Sequence, residues 1–274
     1  WGADALLDTA LDLSHLLFND HEEITMTATQ SLQGRTILVT GAGYGIGREA
    51  ALTYARAGAT VLLLGRTQDA LNDTYDLIEQ QGLPQAAVLP FDLETTDEEA
   101  FRELANLIEQ HFNHLDGVLM NAGVLGQRAP LENYDWNTFQ RVVQVNVSGQ
   151  FALLKHLLPL LRQAPADASI ILTTSSVGRE GRAYWGAYSV SKFATEGLMQ
   201  VLAQELENTS QIRVNCINPG ATRTSMRAAA VWTVSRPRHR QSRNTGLLKC
   251  MAGPFCNAAR LMNSSLSDKL CTER

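Results

Sequence analysis

In "YWGAYSVSK", residues 184–192, Tyr184, Tyr188 and Lys192 follow one another at intervals of four. On a helix, positions i and i+4 share a face, so the Lys192 ammonium can approach the Tyr188 phenol. A cation there favours phenolate and pulls a pKa of about 10 towards neutrality. That chemistry is acid–base catalysis. Taken alone, the stretch reads more readily as two ordinary core or groove tyrosines, so the elements around it must decide.

Those elements alternate. Apolar runs at 36–41, 60–65, 86–92, 117–123, 169–175 and 212–220 read as strands, and the segments 46–59, 67–82, 95–112, 135–162 and 186–208 between or after them as helices. Thr96 followed by Glu99 predicts a capping box at the third helix. Continuous apolar strands separated by helices predict an α/β fold, a doubly wound parallel sheet of Rossmann type with helices on both faces. Ligands in such sheets bind at the carboxyl ends of the strands, beside the point where strand order reverses.

The strand ends carry the polar and glycine residues of interest. "TGAGYGIG" sets Gly41, Gly45 and Gly47 between a strand and a helix, where absent side chains let a diphosphate approach backbone amides. The spacing is G-x-x-x-G-x-G and not G-x-G-x-x-G. The second strand ends in Gly65 followed by Arg66, where an NAD-binding fold usually places an acid. A small residue beside a guanidinium suits a 2′-phosphate, so NADP(H) is expected over NAD(H). Asp92 is open between an adenine contact and a helix cap. Asn121, Ala122 and Gly123 offer an amide and a flat surface. Asn146, inside an apolar helix, must find partners for its amide. The fifth strand runs into Ser175 and Ser176, and the sixth into Pro219 and Gly220 ahead of Thr222 and Thr224.

In this order, "TGAGYGIG", "NAG", the asparagine of "VNVSG", the serine after the fifth strand, "YSVSK" and "NPG" resemble the short-chain dehydrogenase/reductase family over about residues 33 to 228. The wording of residues 175–206 and 213–228 is closest to the YciK-type bacterial oxidoreductases. The resemblance implies Tyr188 with Lys192 as the Y-x-x-x-K pair and leaves Tyr184 as a cleft wall or packing residue. It selects Ser175, first residue of S-x-x-G, over Ser176. It implies hydride transfer between a nicotinamide cofactor and a small-molecule carbonyl or alcohol. Ser175 would hold the substrate oxygen, Tyr188 move the proton, Lys192 bind the nicotinamide ribose, and Asn146 hold a water joining Lys192 to solvent. Cofactor contacts are implied at Gly41, Tyr44, Gly45, Ile46 and Gly47 in the first turn. Arg66, Asp92 and Leu93 would follow the second and third strands, Asn121, Ala122 and Gly123 the fourth, and Pro219, Gly220 and Thr222 the sixth. A homodimer or homotetramer is the family's usual assembly.

The bulk properties narrow the alternatives. Among 274 residues, 45% are hydrophobic and 19% charged, as in ordinary globular proteins, and the net charge of −5 gives nucleic acid no reason to bind. No run is long and apolar enough for a membrane span. Cys216, Cys250, Cys256 and Cys271 lack zinc or redox spacing, which favours a cytoplasmic setting. His111 and His114 have no further ligand cluster beside them, so no metal is expected.

Both ends depart from the family pattern. Residues 1–25 read as a non-native-looking leader, similar to the carboxyl end of a haloacid-dehalogenase-type phosphatase over too short a match to carry a function, with Met26 a natural start. The family-like domain is expected over 26–231. Residues 232–274 hold eight of the 23 basic residues and two of the 28 acidic ones. They show no helix or strand period, as a shifted reading frame would produce, and the last strand is expected to be missing. The alternative function is therefore an NADP-binding chain without turnover; a sugar-nucleotide epimerase would need a larger carboxyl-terminal domain.

Overall fold

The computed structural model describes residues 31–220, 222 and 224–231. The leader and tail expectations lie outside the described residues. The chain alternates β1 (Thr36–Thr40), α1 (Gly45–Arg56), β2 (Thr60–Gly65), α2 (Gln68–Glu79), β3 (Ala87–Pro90), α3 (Glu98–Phe112) and β4 (Gly117–Met120). It continues through α4 (Trp136–Val143), a π-helical turn at Gln144–Ser148, α5 (Gly149–Arg162), β5 (Ala168–Thr173), α6 (Gly186–Leu206), β6 (Ile212–Ile217) and α7 (Ser225–Val231). All described strands are parallel, in the order β3-β2-β1-β4-β5-β6. The order reverses between β1 and β4, as a doubly wound sheet requires.

Strand periodicity divides the core. Ile37, Val39, Val61 and Leu63 pack against Ala51, Tyr54, Leu71 and Ile78 of α1 and α2. Their neighbours Leu38, Leu62 and Leu64 face the other way, with Phe101 and Ile108 of α3, Leu153 and Leu157 of α5, and Leu202 and Leu206 of α6. The central strands thus bury both faces, which explains runs such as "TILVT" that do not alternate with polar residues.

Two local expectations are corrected. Asp97, not Thr96, caps α3, its carboxylate accepting from the Glu99 amide at 3.0 Å. The helix starts one residue later than a Thr96 cap needs, and an anion there also meets the helix dipole. The helix expected over 135–162 is broken in character by the π turn. Asn146, at its centre, donates to the Val124 carbonyl at 2.9 Å and accepts from the Val124 amide at 2.8 Å.

At the amino ends of the strands, opposite the ligand crevice, Asp116 is almost wholly buried. It accepts from Arg35 at 3.0 Å and from the Thr36 amide at 2.8 Å. Arg35 also bonds Asp167, which pairs in turn with Arg213 of β6 at 3.0 Å. One ion network therefore ties β1 and β6 to the residues that lead into β4 and β5. Truncating Asp116 strands a buried amide and leaves the Arg35 charge half paired. Asp116→Ala is expected to lower unfolding stability by about 3 kcal/mol, read as a shift in the urea midpoint; a loss below about 0.5 kcal/mol would contradict that account.

Candidate active site

Where β1 and β4 part, Thr40 is fully buried. Its hydroxyl accepts from the backbone amides of Asn121 and Ala122, both at 2.9 Å. Asn121 reaches back, its side-chain amide donating to the Thr40 carbonyl at 3.3 Å. The "NAG" segment is thereby held flat beside the glycine turn. Gly41 (φ +68°) and Gly45 (φ +52°) occupy left-handed backbone, and a Cβ on Gly47 would stand 2.0 Å from the Gly41 carbonyl oxygen. The turn folds back on itself, and only hydrogen at residue 47 permits it. No side chain caps the amino end of α1, so first-turn amides face the crevice, the arrangement an anion needs.

A cleft of about 460 Å³ opens here. Its lining includes Gly41, Tyr44, Gly45, Ile46, Arg66, Asn121, Ala122 and Gly123, together with Ser175, Tyr188, Lys192, Pro219, Gly220 and Thr222. A neighbouring cleft of about 200 Å³ shares Gly41, Tyr44, Arg66, Ala122 and Gly123 and adds Asp92 and Leu93. Two anticipated residues lie behind the walls. Gly47 packs against Gly41, and the Asn146 side chain is engaged by Val124 and by Ser191, at 3.0 Å from the latter's hydroxyl. The Asn146 amide therefore braces the loop after β4. Asp92 makes a tight turn, its carboxylate accepting from the Glu94 amide at 3.0 Å.

Ser175 follows β5 and hydrogen-bonds the Tyr188 hydroxyl, whereas Ser176 is exposed and begins the short 3-10 turn Ser176–Gly178. Gly178 ends that turn against α6; a Cβ there would come 2.8 Å from the Lys192 carbonyl oxygen. This close approach is what the S-x-x-G spacing secures. Tyr188 and Lys192 share the buried face of α6, with the Lys192 nitrogen 5.6 Å from the Tyr188 ring centroid and donating to the Thr173 carbonyl at 2.7 Å.

The titration expected of Tyr188 is corrected. Burial raises its pKa above the ordinary value, with the Ser175 hydrogen bond pulling weakly the other way. Desolvation instead acts on Lys192, which is 3% exposed, and lowers it to about 8. The lysine ammonium is engaged by the Thr173 carbonyl of β5. Tyr184 is also corrected as a cleft wall. At φ +69° it turns outward, 55% exposed, and Trp185 lines the cleft in its place.

Other lining residues were not among the expected contacts. Leu125, Thr173, Thr174, Asn218, Thr224, Met226 and Ala230 also line the main cleft. Most flank a strand end, and that placement was the available signal. Met226 and Ala230 come from α7, which no pattern announced. Arg128 fastens α7 over the cleft by donating to the Ala230 carbonyl at 2.7 Å and to the Tyr184 carbonyl at 3.1 Å, its guanidinium 4.3 Å from the Trp185 ring centroid. Burial pushes the Cys216 thiol up to about 12, so it offers no ready thiolate. Among the described residues no metal-binding cluster occurs and no helix is long and apolar enough to cross a membrane.

The donor set fits a dinucleotide: backbone amides and glycines for a diphosphate, a guanidinium outside, and an ammonium and two hydroxyls at the far end. Comparison with known proteins agrees with that geometry. Residues 35–233 match the family model for short chain dehydrogenase. The chain is 52% identical over 199 residues to the uncharacterized oxidoreductase YciK of Escherichia coli K12, covering 73% of this chain and 78% of that one. The solved structure of E. coli YciK superposes with a TM-score of 0.71 at 52% identity, covering 76% of this chain and 84% of that one. A protein of E. coli CFT073, described as a candidate short chain dehydrogenase and solved with NADPH, gives 0.70 at 53% identity over 76% and 85% of the two chains. The chain belongs to the short-chain dehydrogenase/reductase family.

Proposed function

We propose that this oxidoreductase transfers hydride between NADP(H) and a small carbonyl or alcohol substrate. The observation that carries the reading is one continuous crevice holding both the glycine turn and the Ser175–Tyr188–Lys192 group. The preference for NADP over NAD rests on Gly65 and Arg66, a guanidinium with no acid in the second-strand position. The NADPH complex of the CFT073 relative supports it.

When bound, the nicotinamide supplies or accepts the hydride. The protein's share is proton movement and placement. Ser175 holds the carbonyl oxygen beside the Tyr188 hydroxyl. The phenol, kept protonated by burial, donates its proton to that oxygen as negative charge develops there. Lys192 hydrogen-bonds the ribose next to the nicotinamide, and Asn146 positions the wall opposite. Trp185, Met226 and Ala230 close the substrate side. A second copy of the chain would cover the exposed stripe Val190, Phe193, Gly197 and Val201 along α6. The cytoplasmic assignment rests on the cysteine pattern of the sequence.

NADPH oxidation by the full chain against a panel of ketones and aldehydes tests the assignment. Tyr188→Phe is expected to lose activity by at least about 100-fold while its NADPH affinity stays within about twofold of the unmodified chain. Equal turnover by the two proteins refutes the role of Tyr188, and binding without oxidation by the unmodified chain refutes turnover.

The buried lysine predicts a pH effect of definite sign. Below pH 8 both folded and unfolded states hold its proton, and the fold carries the full cost of burying the charge. Between about 8 and the ordinary 10.5 the folded state releases the proton first, so stability contributed by this group rises with pH. Lys192→Met removes the term. Its melting temperature relative to the unmodified chain is expected to be most favourable near pH 7 and to decline by pH 9.5; a pH-independent difference contradicts the burial account.

A further inference from the structure

The loop after β3 sets a carboxylate between two guanidinium groups. Asp92 turns the chain by accepting from the Glu94 amide, and Gln144 of the π turn clamps the loop by donating to the Thr95 carbonyl at 2.8 Å. Glu94 is thereby aimed at α4. Its Oε2 accepts from the Arg141 Nε at 2.9 Å and lies 3.9 Å from the Arg66 Nη1. The same oxygen is hydrogen-bonded to Arg141 and forms a longer ion pair with Arg66. Arg66 lines both clefts, and Arg141 lines neither.

We propose that Arg141 determines cofactor specificity from outside the cleft, by sharing the Glu94 carboxylate with Arg66 so that the Arg66 charge is only partly neutralised and stays available to a 2′-phosphate. The inference rests on the reading of Arg66 given above and names two residues that reading does not use. A phosphate monoester carries close to two negative charges at neutral pH. Beside Arg66 it meets a local charge of +1 when Glu94 is neutralised by Arg141, and of zero when Arg141 is gone and Glu94 pairs with Arg66. A ribose 2′-hydroxyl carries no charge and is indifferent to the change. Arg141 is therefore a positioning residue, and its effect should appear only with ligands that bear the extra phosphate.

Fluorescence titration of the full chain with NADPH and with NADH tests this without any turnover. Arg141→Gln is expected to raise the NADPH dissociation constant about three- to fivefold, the range of an exposed ion pair, and to leave the NADH constant within about twofold. Glu94→Gln added to Arg141→Gln should return NADPH affinity to at least the starting value. The fragments 2′,5′-ADP and 5′-ADP should repeat the contrast, and added salt should narrow it. An unchanged NADPH-to-NADH ratio in Arg141→Gln, an equal loss for both cofactors, or failure of Glu94→Gln to rescue overturns the inference while Arg66 keeps its role. Equal affinity of the unmodified chain for NADPH and NADH overturns the Arg66 reading, and this inference with it.

Discussion

The crevice depends on one hydroxyl. Where β1 and β4 diverge, two adjacent amides, those of Asn121 and Ala122, turn inward and need a shared acceptor beyond the Leu119 carbonyl of β4, which the first also reaches at 3.1 Å. Thr40 supplies it, buried completely and donating its own hydrogen to the Leu119 carbonyl at 3.3 Å. A buried amide without an acceptor costs roughly as much as a lost hydrogen bond, so the opening between the strands exists only because this side chain closes its polar account. The glycine turn on one side and "NAG" on the other take their spacing from that point.

The electrostatics have a common cause in burial. Tyr188 and Lys192 occupy the same buried face of α6, and water withdrawal acts on them in opposite directions on the pH scale, raising one and lowering the other. Both shifts favour the uncharged form. The phenol is thus kept as an acid, and the lysine is held against a backbone carbonyl of β5. The more exposed charges, Arg66, Glu94 and Arg141, gather at the outer end of the crevice. The cleft is neutral-leaning within and cationic at its rim.

Much of this was legible because strand ends and glycines have narrow physical meanings. A run such as "TILVT" permits only a strand buried on both sides, and Gly47 is demanded by contact with the Gly41 carbonyl. Ser175, Tyr188 and Lys192 were legible through their spacing, since β5 and α6 bring them together. Three matters were not. The direction of the Lys192 side chain depends on the Thr173 carbonyl, a contact distant in sequence. Tyr184 and Trp185 differ by a backbone sign, φ +69° at Tyr184, that residue type alone does not announce. Asn146 read as a buried amide in search of partners; that it would bond Val124 and lie within a π turn follows from tertiary contacts.

That turn has a geometric result. A π segment accommodates one residue more than the surrounding helix, and each residue of an α-helix advances the side-chain direction by about 100°. The helical run from Trp136 to Arg162 is consequently two amphipathic stripes out of phase. The first is turned towards α6, the second towards α3. A single rod with one apolar seam would serve only one of those neighbours. By slipping its phase at Asn146, the chain lets one continuous cylinder belong to two layers of side chains, and the slip occurs just behind the wall of the crevice.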